Sequence, residues 1–176
     1  MSSSRLRLVD TNPAVVDAWK QAFAKHTEVE IYHGDIFDFA KCCVVSPANS
    51  YGFMDGGIDA VYSRHFGNHV QYRLQDKIGQ LDDQLLPVGA SLLVETRDDQ
   101  VPYMISAPTM VTPGPVPKEN AFYAMAAVLN CVHRHPDVIT EVYCPGLCTD
   151  VGHVEPDDAA EEMASAYAKW KERHAI

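Results

Sequence analysis

The sequence has 176 residues, of which 47% are hydrophobic and 22% are charged, and its formal net charge is −10. This length is typical of one domain with a sizeable core, so we expect residues 1–176 to form a single domain. Because general nucleic-acid-binding surfaces are basic, the negative charge argues against one, although glycine loops and helix N-termini can bind phosphate without Lys or Arg.

The N-terminal half of the chain predicts alternating strands and helices. Arg and Leu alternate over residues 5–8, which indicates a short, half-exposed strand. Asn12 and Pro13 predict the start of a helix that runs to about Ala24, because Asn caps helices and Pro suits the first helical position. The later elements of this half are a strand over 29–32, an apolar strand over 42–45 that is covered on both faces, and a helix from 58 to about 78 with an interruption at 67–68.

The C-terminal half continues the alternation. It predicts strands over 92–94 and 104–105, a helix from 121 to about 133, a strand over 142–144 and a helix from 156 to about 172. Strands that alternate with helices predict an α/β domain in which helices sandwich a largely parallel sheet. In such sheets ligands bind beyond the carboxyl ends of the strands. Asp35, Asn49 and Thr149 each follow an apolar strand, so we expect them to converge at that edge.

The most informative segment is 44–67, where an apolar strand leads into a glycine loop and then a helix. Gly56 and Gly57 permit close approach of the backbone to a ligand, and the unpaired N–H groups of a first helical turn attract anions. Asn49 and Asp59 lie ten residues apart across this loop. The pattern therefore predicts a phosphate-binding loop flanked by an amide and a carboxylate.

This segment resembles the macrodomain family, whose members bind ADP-ribose. The family pattern has an Ala-Ala-Asn turn, a glycine run and a Val-Asp pair, and residues 47–49 (Pro-Ala-Asn) and 56–59 (Gly-Gly-Ile-Asp) reproduce its spacing. Residues 34–36 (Gly-Asp-Ile) and 145–152 (Pro-Gly-Leu-Cys-Thr-Asp-Val-Gly) match two more motifs in the family's order. The resemblance covers about residues 6–170 and implies a three-layer α/β/α sandwich with a mixed, largely parallel central sheet.

The resemblance also implies roles for individual residues. Asp35 would accept a hydrogen bond from adenine, Asn49 would orient the distal ribose, and Asp59 would position the attacking water. The implied ligand-binding residues are Asp35, Ile36, Phe53, Gly56, Gly57, Ile58, Thr149, Asp150, Val151 and Gly152. Simpler structural roles are open as well, because Asp35 and Asn49 could bond to turn backbone and Asp59 could stabilise a helix N-terminus.

The function implied by the resemblance is ADP-ribose binding with hydrolysis of an ADP-ribosyl linkage. The partner would be ADP-ribose or a macromolecule that carries it, on protein or nucleic acid, or an O-acyl-ADP-ribose ester. No metal and no cofactor are needed for this reaction. A non-catalytic ADP-ribose reader is the alternative, and an unrelated α/β nucleotide-binding protein is a third possibility.

Two acidic residues depart from the family pattern in the phosphate loops. Asp55 and Asp150 stand where glycine is usual, so we expect them to weaken binding of a diphosphate. This penalty would be relieved if the carboxylates pointed away or paired with Arg64, His65 or His153.

The remaining residues predict an intracellular protein without a metal site. Five cysteines are an odd number without a disulfide framework, and Cys42, Cys43 and Cys144 are expected as buried thiols in strands. His65 and His69 are spaced to share one helix face, but no third metal ligand is near them. Residues 1–4 do not lead into an apolar signal segment and no stretch is apolar enough for a membrane span, so a cytoplasmic location is expected, with the nucleus also compatible.

Overall fold

The computed structural model describes residues 5–175, so the N-terminal segment used in the signal-peptide argument lies outside it. The six strands are β1 (Arg5–Asp10), β2 (Glu30–His33), β3 (Cys43–Ser46), β4 (Leu92–Glu95), β5 (Tyr103–Ser106) and β6 (Glu141–Cys144). The five α-helices are α1 (Pro13–Ala22), α2 (Gly57–Phe66), α3 (His69–Gly79), α4 (Glu119–Arg134) and α5 (Pro156–Arg173). A short 3₁₀ helix at Ile36–Asp38 was not predicted.

The strands form one mixed sheet in the order β2-β1-β6-β3-β5-β4. Strands β1, β2, β3, β5 and β6 all run in the same direction, and β4 alone runs antiparallel to them, paired with β5. Helices α1, α4 and α5 pack on one face of the sheet and α2 and α3 on the other. The predicted three-layer α/β/α sandwich with a largely parallel sheet is therefore confirmed.

Strand β3 shows why the sequence has an unbroken apolar run there. All four residues of β3 are buried. Cys43 and Val45 contribute to the layer formed with α1, α4 and α5, whereas Val44 contributes to the layer formed with α2 and α3. Because β3 lies inside the sheet with helices on both sides, both of its faces must be apolar.

The prediction that β1 is half-exposed is wrong. Its Arg7 is only 6% exposed, because β1 lies between β2 and β6 inside the sheet. The guanidinium group is held by ion pairs with Glu30, at 2.7 Å, and with Glu141, at 3.5 Å. The alternating Arg and Leu residues therefore belong to an interior strand, and the charge of Arg7 is paired with glutamates on both neighbouring strands.

Two local predictions near β3 and α2 need correction. Cys42 precedes β3 instead of lying in it, has φ = 68° and is only partly buried, whereas Cys43 and Cys144 are buried in strands. The predicted interruption at residues 67–68 is confirmed, and it separates α2 from α3. His65 and His69 consequently lie on different helices and do not share one face.

These histidines have partners other than a metal. His65 pairs with Asp98 at 3.4 Å, and His69 lies 2.9 Å from the backbone oxygen of Phe66. Within residues 5–175, no group of three or more His, Cys, Asp or Glu side chains is arranged to hold a metal ion. The same range contains no helix that is long and apolar enough to cross a membrane.

Candidate functional site

The loops that follow β1, β2, β3, β5 and β6 enclose a groove of about 500 Å³. It lies beyond the carboxyl ends of the parallel strands, which is the usual ligand position in such sheets. All twelve predicted site residues line this groove, namely Asp35, Ile36, Asn49, Phe53, Gly56, Gly57, Ile58, Asp59, Thr149, Asp150, Val151 and Gly152. The structure thus brings them together, while their individual roles stay predictions.

The first loop, residues 47–56, joins β3 to the N-terminus of α2, which has no side-chain cap. Gly56 occupies the capping position, and the first turn leaves the N–H groups of Gly57, Ile58 and Asp59 without helical partners. Gly57 has φ = 54°, a conformation that side chains disfavour, and this turns the chain into the helix. These three N–H groups form a natural site for an anion.

The second loop, residues 145–152, is held from two sides. The carboxylate of Asp10 accepts a hydrogen bond from the N–H of Gly146 at 2.9 Å. Gly152 packs so tightly that a Cβ atom on it would lie 2.7 Å from the backbone oxygen of Cys148. Among residues 5–175 no acceptor bonds to the backbone N–H groups of 149–152, so these groups are free to meet an anion.

Asn49 organises the first loop. Its Oδ1 atom accepts hydrogen bonds from the N–H groups of Tyr51, at 3.0 Å, and Phe53, at 3.3 Å. Its Nδ2 atom donates to the carbonyl oxygen of Phe53 at 3.0 Å. The amide therefore fixes the loop backbone, and its second N–H lies available for a ligand.

Asp35 combines a capping role with an open carboxylate oxygen. Its Oδ1 atom accepts from the N–H of Phe37 at 2.9 Å and so caps the short 3₁₀ helix. The side chain is exposed at the groove, whereas the adjacent Ile36 is buried beneath it. A flat ring that carries an amino group could pack on the apolar side chain of Ile36 and donate a hydrogen bond to Asp35.

The carboxyl group of Asp59 has a strongly raised pKa. The residue is 6% exposed, and its Oδ1 atom accepts a hydrogen bond of 2.5 Å from Ser46 Oγ. Burial raises the pKa of Asp59 to about 7, an effect that the Ser46 hydrogen bond opposes and the nearby Asp55 carboxylate increases. Burial produces this rise in the protein alone, without a bound anion. A carboxylate with this pKa can accept a proton near neutral pH.

The groove is acidic. Its lining includes the five aspartates Asp10, Asp35, Asp55, Asp59 and Asp150, and it includes no Lys, Arg or His among the residues described. The pairings considered for the two loop carboxylates are not formed within residues 5–175, where neither Asp55 nor Asp150 makes an ion pair. Among the described residues, an anion in the groove would therefore be held by backbone N–H groups and neutral side-chain donors, without a cation.

The rim of the groove carries exposed apolar side chains. Phe53 is 53% exposed and Val151 is 40% exposed, and both line the groove from the two opposite loops. Their side chains are placed to cover a ligand that lies between the loops.

The sequence analysis missed two residues that line the groove, Asp10 and Cys148, and a third, Ser46, that is buried behind it. Asp10 ends β1 just as Asp35 follows β2, so the same rule about strand ends could have identified it. Ser46 is the last residue of β3 and gave no sequence signal, because its contact with Asp59 depends on the position of α2. Cys148 also lines the groove, but burial raises the pKa of its thiol to about 12, which makes it a poor nucleophile at neutral pH.

Two relatives match most of this chain. An uncharacterized protein of Aquifex aeolicus is 28% identical over 145 residues, which cover 82% of this chain and 83% of the relative. An uncharacterized protein of Aeropyrum pernix is 30% identical over 142 residues, which cover 78% of this chain and 71% of the relative.

Solved macrodomain structures share the fold. The macrodomain of Mycobacterium tuberculosis DarG has a TM-score of 0.64 at 20% identity and covers 77% of this chain and 87% of its own. The Oceanobacillus iheyensis macrodomain with ADP has a TM-score of 0.67 at 18% identity, with coverages of 79% and 74%. Thermosipho africanus DarTG in complex with ADP-ribose has a TM-score of 0.61 at 14% identity, with coverages of 92% and 50%.

A sequence profile described as "Macro-like domain" matches residues 25–175. This span covers most of the chain and includes the first and second loops together with Asp35, Asn49 and Asp59. The chain therefore belongs to the macro-like domain family.

Proposed function

We propose that the protein binds ADP-ribose and hydrolyses an ADP-ribosyl linkage. One observation carries this proposal: Asp59, with a pKa of about 7, lies in a groove between two loops that offer free N–H groups to a diphosphate. A proton acceptor placed next to an anion site is the arrangement that hydrolysis of a phosphate-bearing sugar requires.

The proposal of ADP-ribose as the ligand is supported by the groove and by the family. A volume of about 500 Å³ suits a ligand of this size. Solved structures with the same fold contain ADP, in the Oceanobacillus iheyensis protein, and ADP-ribose, in the Thermosipho africanus protein. In this arrangement Asp35 accepts from the adenine amino group, the two loops hold the diphosphate, and Asn49 orients the distal ribose.

The reaction then takes place at the anomeric carbon of the distal ribose. Asp59 accepts a proton from water, the water oxygen forms a bond to that carbon, and the bond to the leaving group breaks. No residue of the chain has to act as a covalent nucleophile. The leaving group would be a side chain of a modified protein or a modified nucleic acid. For an O-acyl ester the water would attack the acyl carbonyl carbon instead, and the ribose hydroxyl would leave.

A non-catalytic reader is the second candidate, and one observation favours it. The Asp59 carboxylate is nearly buried and already bonded to Ser46, so access of water to it depends on the bound ligand. A reader would use the same groove and the same loops without turnover.

We also place the protein inside the cell. All five cysteines are free thiols, as is usual in reducing compartments.

The test combines calorimetry with a release assay. ADP-ribose should bind with a dissociation constant of roughly micromolar order, about −8 kcal/mol, and more tightly than AMP or ADP. Wild type should release ADP-ribose from modified protein, from modified DNA or from an O-acyl ester. Asp59→Asn should bind within about threefold of wild type and lose most turnover, because the base acts mainly in the transition state.

The exposed Asp137→Asn variant is the matched control, and its binding and turnover should equal those of wild type. Tight binding by wild type without release from any of the three substrates would select the reader. Equal affinity for AMP and ADP-ribose would contradict recognition of the distal ribose.

A further inference from the structure

Two serines lie side by side behind Asp59. Ser46 at the end of β3 and Ser106 at the end of β5 are partners in the parallel register. Two residues earlier in these strands, Val44 and Met104 both pack in the layer formed with α2 and α3. Because side chains alternate along a strand, both serines face the same layer, in which Asp59 lies in the first turn of α2.

The two hydroxyls are both fully buried, but they differ in their hydrogen bonds. Ser46 Oγ donates to Asp59 Oδ1 at 2.5 Å. Within residues 5–175, Ser106 Oγ has no hydrogen-bond partner. A buried hydroxyl without a partner is unfavourable, so its position beside Ser46 requires an explanation.

We propose that Ser46 and Ser106 form a hydroxyl switch that follows the charge of Asp59. When Asp59 is ionised, the Ser46 hydroxyl donates to it and Ser106 is unpaired, which matches the contacts in the structure. When Asp59 gains a proton, its own O–H donates to Ser46 Oγ. The Ser46 hydroxyl then no longer donates to Asp59 and instead donates a hydrogen bond to Ser106 Oγ.

Ser106 Oγ is not in hydrogen-bonding geometry with Ser46 Oγ in the structure. The switch therefore needs a rotation of the Ser106 side chain about its Cα–Cβ bond, together with rotation of the Ser46 hydroxyl. Neighbouring strands are about 4.8 Å apart, and serine side chains rotate between staggered positions, so Oγ atoms of register partners can approach one another. One proton is taken up by Asp59 and no bond other than hydrogen bonds changes within the protein. Both serines are thus positioning residues that stabilise the two states of Asp59 in turn.

Other ionisable groups near Asp59 do not supply this exchange. Asp55, in the loop before α2, raises the pKa of Asp59 through its charge. Tyr62, on the next turn of α2, donates its hydroxyl to the carbonyl of Val45 at 2.8 Å. The buried thiols of Cys43 on β3 and Cys144 on β6 have raised pKa values and are neutral.

The aspartates of the adjacent loops also cannot supply this exchange of hydrogen-bond roles beside Asp59. The carboxylates of Asp10 and Asp150 face the groove, and Asp10 is bonded to Gly146. The Ser46–Ser106 pair is therefore the part of this environment that can exchange donor and acceptor roles.

The switch predicts shifts of opposite sign for the two serines. Ser46→Ala removes the donor to ionised Asp59, so the pKa of Asp59 should rise by about 0.5 to 1. Ser106→Ala removes the acceptor that serves protonated Asp59, so the pKa of Asp59 should fall by a similar amount. A merely structural role for Ser106 would not lower it.

The experiment follows the Asp59 carboxyl carbon by ¹³C NMR during a pH titration of the free protein. Asp59→Asn assigns the signal, and Ser91→Ala, which removes a serine bonded to the remote carbonyl of Ala127, serves as the control. In the double variant of Ser46 and Ser106, the downward shift caused by Ser106→Ala should disappear, because the switch acts through Ser46.

An unchanged titration in Ser106→Ala, or a downward shift that persists without Ser46, would overturn the switch. Ser106→Ala removes an unpaired buried hydroxyl, so we expect it to fold at least as stably as wild type. The inference rests on the proposed function only in treating Asp59 as the base. The titration uses neither ligand nor turnover, so its failure is distinguishable from a failure of ADP-ribose binding or hydrolysis.

Discussion

Asp59 shows how a single residue acquires a chemical role from its surroundings. In the sequence it is an Asp in a first helical turn, where the helix dipole favours a negative charge. In the folded protein burial outweighs this effect and the hydrogen bond from Ser46, so the pKa of Asp59 rises from 3.8 to about 7. The cause is removal of water, which disfavours the charged form.

Because the pKa of Asp59 differs between the folded and the unfolded chain, the free energy of unfolding depends on pH. Between about pH 4 and pH 7 folded Asp59 holds a proton that the unfolded chain lacks, so the free energy of unfolding should decrease as pH rises through this window. Asp59→Asn removes the free-energy cost of burying an ionised carboxylate. At about pH 8 it should be more stable than wild type by ~2–4 kcal/mol, with little difference at about pH 4.

Urea unfolding of both proteins at the two pH values measures this difference. Asp137→Asn, at an exposed site, should show no comparable gain. A stability difference that does not change with pH would show that Asp59 is ionised in the folded protein throughout.

At the scale of elements, the groove depends on two loops that bring free N–H groups toward one point. The first loop is shaped by Asn49 and leads into α2, and the second is anchored to β1 by Asp10. Neither loop contributes a cation, so the attraction for a diphosphate must come mainly from the backbone N–H groups that the loop conformations present.

Gly152 tests whether the conformation of the second loop matters. In Gly152→Ala the new Cβ atom would lie 2.7 Å from the carbonyl oxygen of Cys148, so the loop must shift. Calorimetry should show ADP-ribose affinity reduced by about tenfold or more, with a loss of stability of ~1–3 kcal/mol. Gly79→Ala at the end of α3 is the matched control, because a Cβ atom there has nothing within 4 Å and Gly79 does not line the groove. Equal losses in both variants would contradict the steric explanation.

Asp150 tests the electrostatic cost of the acidic groove. Its Oδ2 atom lies 3.1 Å from the position that a Cβ atom of Gly57 would occupy, so the carboxylate is next to the anion-binding turn. Asp150→Asn should therefore bind ADP-ribose several-fold more tightly at low salt, and the gain should shrink as salt screens the charge. Titrations at low and high salt, with Asp137→Asn as control, measure it. Unchanged affinity at low salt would show that the carboxylate does not act on the diphosphate.

At the scale of the whole molecule, a ligand in this groove would connect loops from five of the six strands. A ligand that binds only the folded state at a hundred times its dissociation constant stabilises it by ~2.7 kcal/mol. For a chain of 176 residues, this corresponds to a rise in Tm of about 5–10 °C. Thermal unfolding with ADP-ribose should show this rise, and AMP at the same concentration should give a smaller one. Equal shifts would mean that only the adenosine half is held.

The sequence by itself determined the kinds of elements, their order and the family. Apolar runs and caps depend on neighbouring residues, so the strands, the Asn12 cap of α1 and the start of α5 at Pro156 could be predicted closely. The loop motifs also identified residues that the structure places around one groove, since the carboxyl ends of parallel strands meet at one edge.

Only the tertiary structure decided properties that depend on distant segments. Arg7 is buried because two other strands pair with β1, and Asp10 contacts the second loop across a separation of 136 residues. The raised pKa of Asp59 and its bond to Ser46 exist only when α2 packs over the end of β3. Burial and pairing are set by which segments meet in space, and a local pattern of residues does not contain that information.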